Sequence, residues 1–294
     1  MSPAPERFFV SAPDGLKLHA CAYGNRNEAR QMVVCLPGLT RSTADFEPLA
    51  QALAGDPKHP CYVVAVDYRG RGESEYDSNA ANYTIAVELA DLIAVLTALS
   101  VERAVFVGTS RGGILAMLLA TVRPAALVGV VLNDIGPELD IKGLFRIKNY
   151  VGRLPQPKSM DEGADILRQL FAAQFPRLGS DDWLAFARRT FKEQDGLLKP
   201  RYDHKIAEAL KSIDLERPQP TLWNEFDALA SVPVMVIRGG NSDLLSAATV
   251  EAMRARRPDI TTLEVPEQGH APLLAESDVI GRIAAFIAGC QRRV

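Results

Sequence analysis

Gly108-Thr109-Ser110-Arg111-Gly112 places a serine between two glycines, directly after the apolar run Ala104-Val105-Phe106-Val107 and before the helix-forming Gly113-Ile114-Leu115-Ala116-Met117-Leu118-Leu119-Ala120. A serine on a sharp strand-to-helix turn is held with its hydroxyl exposed at a helix N-terminus, the geometry of a nucleophile. The glycines let such a turn close without a Cβ clash. A serine hydroxyl is protonated at neutral pH and needs a base. Of the four histidines, His19 falls in an early strand, His59 in the proline-rich Pro57-Lys58-His59-Pro60, and His204 in a segment outside the strand pattern. His270, in Glu267-Gln268-Gly269-His270-Ala271-Pro272 after the last strand, is expected as the base. The base needs an acid that fixes its tautomer. Asp243, in Gly239-Gly240-Asn241-Ser242-Asp243 just past a strand, is the expected acid, and Asp134, past the strand ending at Leu132, is its rival. Two backbone N–H groups must receive the developing oxyanion. Those of Arg111 and of Leu39, in Leu36-Pro37-Gly38-Leu39-Thr40-Arg41, are expected to do so.

These residues require a scaffold that delivers several loops to one edge. Short strands are expected at Arg7–Ser11 and Leu16–Tyr23, joined by the turn Pro13-Asp14-Gly15, and at Met32–Leu36, Tyr62–Val66, the apolar run Ala104–Val107, Leu127–Leu132, Val234–Arg238 and Thr261–Val265. Between them, Ile85, Leu89, Leu92, Ile93, Leu96 and Leu99 form one helical stripe with Thr84 as its cap. Apolar strands alternating with amphipathic helices imply a mostly parallel eight-stranded sheet, in an α/β fold with helices on both faces. The alternation stops after the sixth strand. Residues 137–228 read as a helical insertion without strands, with helices near Gly143–Val151, Met160–Phe175, Asp181–Glu193, Asp203–Ile213 and Thr221–Leu229. Leu167, Leu170, Phe171, Trp183, Phe186 and Trp223 give it an apolar face to pack on the core formed by 1–136 and 229–294.

Bulk composition excludes several functions. A net charge of −3 leaves no basic field for nucleic acid or an anionic membrane, and Arg292-Arg293 is only a short basic tip. Cys21, Cys35, Cys61 and Cys290 are scattered with no C-x-x-C, and the histidines lack ligand spacing, so no metal or other cofactor is expected. Met1-Ser2-Pro3-Ala4-Pro5-Glu6-Arg7 does not read as a signal sequence, no run suits a membrane span, and a cytoplasmic protein acting on a small molecule is expected.

The elbow GTSRGG, the stretch Asp67-Tyr68-Arg69-Gly70-Arg71-Gly72-Glu73-Ser74, the Gly-x-x-Ser-Asp around Asp243 and the Gly-His of the last loop make the chain similar to the α/β-hydrolase superfamily with a helical cap. The chain order Ser110, Asp243, His270 is the usual one of that fold. The resemblance implies acyl transfer to water on a carboxylic ester or lactone, with carbon–carbon bond hydrolysis of meta-cleavage type as an alternative. A small-molecule receptor built on the same scaffold is a reading from another class. Related dehalogenases and epoxide hydrolases carry aspartate at the elbow, so Ser110 argues against their chemistry. The Asp67–Ser74 stretch is usually structural in that family. Many members begin the oxyanion loop with His-Gly where this chain has Pro37-Gly38. Arg41, Arg111 and Arg146 are candidates to hold a substrate carboxylate, the ordinary alternative for each being an ion pair with a neighbouring acid.

Overall fold

In the computed structural model, residues 4–211 and 213–290 are described. Met1–Pro3 and the Arg292-Arg293 tip lie outside them. The antiparallel pair β1 (Glu6–Ser11) and β2 (Lys17–Tyr23) is followed by β3 (Gln31–Leu36), α1 (Glu47–Ala54), β4 (Cys61–Val66), α2 (Ile85–Ala98), β5 (Ala104–Thr109), α3 (Arg111–Val122) and β6 (Leu127–Asn133). An insertion carries α4 (Ile141–Tyr150), α5 (Met160–Phe171), α6 (Ser180–Thr190), β7 (Phe191–Gln194), β8 (Leu197–Pro200), α7 (Ile206–Lys211) and α8 (Trp223–Asp227). The chain then returns as β9 (Val234–Gly239), α9 (Ala247–Arg256), β10 (Thr261–Val265) and α10 (Ser277–Cys290).

Eight strands form one sheet in the order β1-β2-β4-β3-β5-β6-β9-β10. The β1–β2 and β2–β4 pairs are antiparallel and the rest parallel. Strand alternation feeds two cores. Val34, Leu36 and Phe106 join one; Val33, Cys35, Val105 and Val107 join the other. Burial on both faces explains why these strands read as continuous apolar runs. From β3 the chain moves outward to β4 and then crosses back to β5, on the other side of β3. The strand order therefore reverses at β3, and the loops leaving β3 and β5 flank the crevice where ligands bind in such sheets.

The insertion corrects one expectation. It is not purely helical, because α6 ends at Thr190 and Phe191–Pro200 form a hairpin. Gln194 pairs with Leu197, leaving Asp195-Gly196 as a two-residue loop with φ of 55° and 73°. Both residues must adopt positive φ, which Asp-Gly tolerates well, and that turn matches the twist of the flanking strands. The expected helix Asp181–Glu193 runs past Thr190 into β7, and the Asp195-Gly196 turn signal lies just beyond its end. Leu167, Phe171, Phe175, Trp183, Phe186 and Phe191 pack into a core belonging to the insertion, whereas Trp223 packs on the sheet's core. Trp223 also donates its indole N–H to Glu138, at 2.7 Å.

Candidate active site

Backbone crowding dictates the turn at Ser110. A Cβ on Gly112 would lie 2.0 Å from the Leu36 carbonyl oxygen, and one on Gly108 2.5 Å from the Gly112 backbone. With both glycines bare, α3 starts immediately behind β5. Ser110 bears the strain as a non-glycine residue at φ 50°, ψ −112°. Its amide donates to the Asn133 carbonyl at 3.0 Å, fixing the turn to the end of β6.

His270 arrives on the loop after β10. That loop is tied to β6 by Asn133 Nδ2 donating to the Pro272 carbonyl at 3.0 Å. The imidazole Nε2 lies 2.9 Å from Ser110 Oγ, as the sequence led one to expect. Its other nitrogen corrects the choice of acid: Nδ1 lies 2.8 Å from Asp134 Oδ2, not against Asp243. Asp134 is fully buried at φ 55°. Its Oδ1 accepts the Gly239 amide at 2.7 Å and its Oδ2 the Ser242 hydroxyl at 2.6 Å. A carboxylate only accepts, so Nδ1 carries the proton and Nε2 is left to accept from Ser110. The loop after β9 therefore supplies the groups that orient Asp134 rather than the acid itself.

Asp243 is engaged elsewhere. Arg146, on α4, forks onto it with Nε–Oδ2 at 2.6 Å and Nη2–Oδ1 at 2.8 Å. Burial pushes the Asp243 carboxyl up, but the Arg146 hydrogen bond and charge outweigh it and hold the group below the usual range. Two aspartates follow adjacent parallel strands, and a guanidinium 97 residues away in sequence occupies one of them. Nothing in the spacing of either aspartate shows that partner.

The two expected oxyanion donors belong to the elbow itself and to the loop after β3. Arg111 is the first residue of α3, so its amide has no intrahelical acceptor. Across the crevice, a methyl built on Gly38 would stand 3.8 Å from Ser110 Cβ, which brings the Pro37-Gly38-Leu39 loop against the nucleophile. A buried charge network ties these two backbones together, and sequence reasoning missed it. Arg71, fully buried, donates Nε to the Leu39 carbonyl at 2.8 Å. Its Nη1 lies 2.8 Å from Glu88 Oε1, and Glu88 Oε2 accepts Arg111 Nε at 2.7 Å. Glu88 sits on the inward face of α2, where a charge interrupts an apolar stripe; that interruption was the available signal. Burial pushes its carboxyl up, yet Arg71 and Arg111 hold it below its ordinary value of 4.5. A depressed native pKa contributes stability above the ordinary value that is lost as pH falls through the native one. Glu88→Gln leaves two guanidiniums short of a counter-charge and is expected to destabilise the fold by about 3–5 kcal/mol in denaturant titrations at neutral pH. A loss below 1 kcal/mol would contradict the network.

Above Ser110 and His270 the insertion closes a cavity of about 100 Å³. Ile147, Leu167, Phe171, Phe175 and Phe186 make its apolar wall, and Arg41 and Thr190 a polar edge. The three arginines raised as carboxylate ligands are each ion-paired: Arg41 with Asp45, Arg111 with Glu88 and Arg146 with Asp243. Arg41 also donates to Thr190 Oγ1 at 2.8 Å, which fastens the β3 loop to the insertion. His19 is held by Asp67 at 2.8 Å, remote in role from the serine. Burial pushes the Cys21 and Cys61 thiols up to about 11. Among the described residues no group of three or more His, Cys, Asp or Glu side chains is placed to hold a metal ion. No helix among them is long and apolar enough to cross a membrane.

Comparison with known proteins matches residues 33–282 to the model of the alpha/beta hydrolase family. A 3-hydroxybutyrate-oligomer hydrolase of Cupriavidus necator is 33% identical over 298 residues, spanning 98% of this chain and 100% of that protein. A 2-(acetamidomethylene)succinate hydrolase of Mesorhizobium japonicum is 25% identical, over 79% of each chain. Among solved structures, an alpha/beta hydrolase from Novosphingobium aromaticivorans superposes with a TM-score of 0.89 at 40% identity, covering 99% of both chains.

Proposed function

From the premise that this chain belongs to the alpha/beta hydrolase family and is a hydrolase, we propose that it cleaves a small carboxylic ester, of the kind that links hydroxy acids, through an acyl-enzyme on Ser110. The observation that carries this reading is the continuous line Ser110 Oγ, His270 Nε2, His270 Nδ1, Asp134 Oδ2, with steps of 2.9 and 2.8 Å. His270 takes the serine proton as Oγ attacks the ester carbonyl. The amides of Leu39 and Arg111 receive the negative oxygen of the tetrahedral intermediate. The imidazolium, stabilised by Asp134, then returns its proton to the leaving alcohol, and water repeats the sequence on the acyl-enzyme.

The ester reading is supported by the relative that matches over its whole length, a hydrolase of hydroxy-acid oligomers. The apolar wall of the cavity suits a short acyl chain. A lactone would serve the same machinery. Purified protein should release acid from a 3-hydroxybutyrate dimer and from a short aliphatic ester with many turnovers per site. Turnover of dienone acids alone would favour carbon–carbon hydrolysis, and stoichiometric binding without turnover a receptor.

A further inference from the structure

The cavity over Ser110 is small. About 100 Å³ falls short of the roughly 300–1,000 Å³ that pockets enclosing a drug-sized ligand provide. A second depression of about 630 Å³ lies behind it, and Leu154 and Tyr202 line both spaces. These two side chains are therefore the partition between them. Tyr202 is fixed, because it is buried and its hydroxyl accepts the Gly152 amide at 3.0 Å. Leu154, half-buried, stands on the irregular segment between α4 and α5.

The outer depression carries both signs of charge. Its two carboxylates are hydrogen-bonded inward: Asp77 to Arg69, which also holds Asp14 and Asp91, and Asp203 to the Tyr83 hydroxyl at 2.7 Å. Its cations are not matched in the same way. Among the described residues Lys199 pairs only with the exposed Asp195, at 3.4 Å, and an exposed pair of that kind contributes little. Lys205 and His204 stand exposed on the same rim, His204 with the committed Asp203 at 3.5 Å. The space thus adjoins the serine's cavity across Leu154 and Tyr202 and carries two lysines, Lys199 and Lys205, in its lining.

We propose that this outer groove is the subsite for the leaving part of a linear oligo-ester, a hydroxy acid whose free carboxylate lies between Lys199 and Lys205 while the scissile ester sits at Ser110 and the chain passes Leu154 and Tyr202. The proposal rests on the ester reading above and adds to it a preference for substrates ending in a free carboxylate. A hydroxyalkanoate dimer or trimer has that shape: cleavage at Ser110 leaves its acyl end in the small cavity and its carboxylate end outside.

Binding tests this without turnover. Titrating a 3-hydroxybutyrate trimer and its terminal methyl ester into Ser110→Ala protein should give a Kd for the free acid roughly fivefold to tenfold lower than for the methyl ester, the size two partly exposed charge pairs supply. Lys199→Met/Lys205→Met should erase the difference, Lys199→Arg/Lys205→Arg should keep it, and raised salt should shrink it. Equal Kd values for the two ligands, or a difference that survives the double methionine variant, would overturn the subsite. Failure of the ester reading would show separately, as wild-type protein that turns over neither the dimer nor a short ester.

Discussion

Asp134→Asn is expected to lower kcat by about 10⁴-fold, while Asp243→Asn stays within about tenfold of the wild type. The hydrogen bonds around Asp134 decide the direction. The Gly239 amide donates to Oδ1 at 2.7 Å and needs an acceptor there, so an asparagine at 134 places its carbonyl oxygen on Gly239. The NH₂ group then faces His270 Nδ1. The imidazole must accept at Nδ1 and carry its proton on Nε2, pointing a donor at Ser110 where an acceptor is required. The base is present but in the wrong tautomer. Asp243→Asn acts on a different bond, the Arg146 fork between α4 and the β9 loop, whose partners are 22% and 24% exposed. Solvent can take over much of that pair. Steady-state kinetics on one ester with both variants checks the assignment, and a collapse of kcat in Asp243→Asn with near-normal Asp134→Asn would move the acid to Asp243.

Ser110→Ala is expected to remove about 10⁶-fold of kcat, the loss seen when a nucleophile that works with its base as a unit is deleted. Substrate binding should persist, because the cavity wall of Ile147, Phe171, Phe175 and Phe186 and the amides of Leu39 and Arg111 are untouched. Alanine keeps the Cβ that Ser110 already carries at φ 50°, so the elbow gains no new clash. His270→Ala should cost nearly as much, and the double variant little more than either single one, since neither residue acts without the other. A Ser110→Ala protein with a few per cent of wild-type kcat would show that the measured hydrolysis does not pass through this serine.

The sheet was legible in the sequence because its strands are buried on both faces. Val33–Leu36, Val63–Val66 and Val105–Val107 have no polar position to blur them. The nucleophile and base were legible because Ser110 sits between two glycines that steric crowding demands, and because His270 follows the last strand. The acid was not. Asp134 and Asp243 occupy equivalent places past two neighbouring strands, and only the fold shows that Arg146 reaches one while Gly239 and Ser242 converge on the other. The Arg71–Glu88–Arg111 network was hidden for a similar reason. Its members come from a loop, a helix interior and the elbow, and their meeting is a tertiary fact. The β7–β8 hairpin was lost because a four-residue strand after a helix continues the helical register until its Asp-Gly turn is reached.

The central claim is that Ser110 carries the acyl group during turnover. Mixing the protein with excess short-chain ester, quenching in acid within the first turnovers and weighing the tryptic peptide Ala104–Arg111 tests it directly. The predicted result is a mass increase equal to the acyl group on that peptide, located at Ser110, absent in Ser110→Ala and prolonged when deacylation is slowed. An unmodified peptide during sustained ester hydrolysis, or an acyl group found on a different residue, would contradict it.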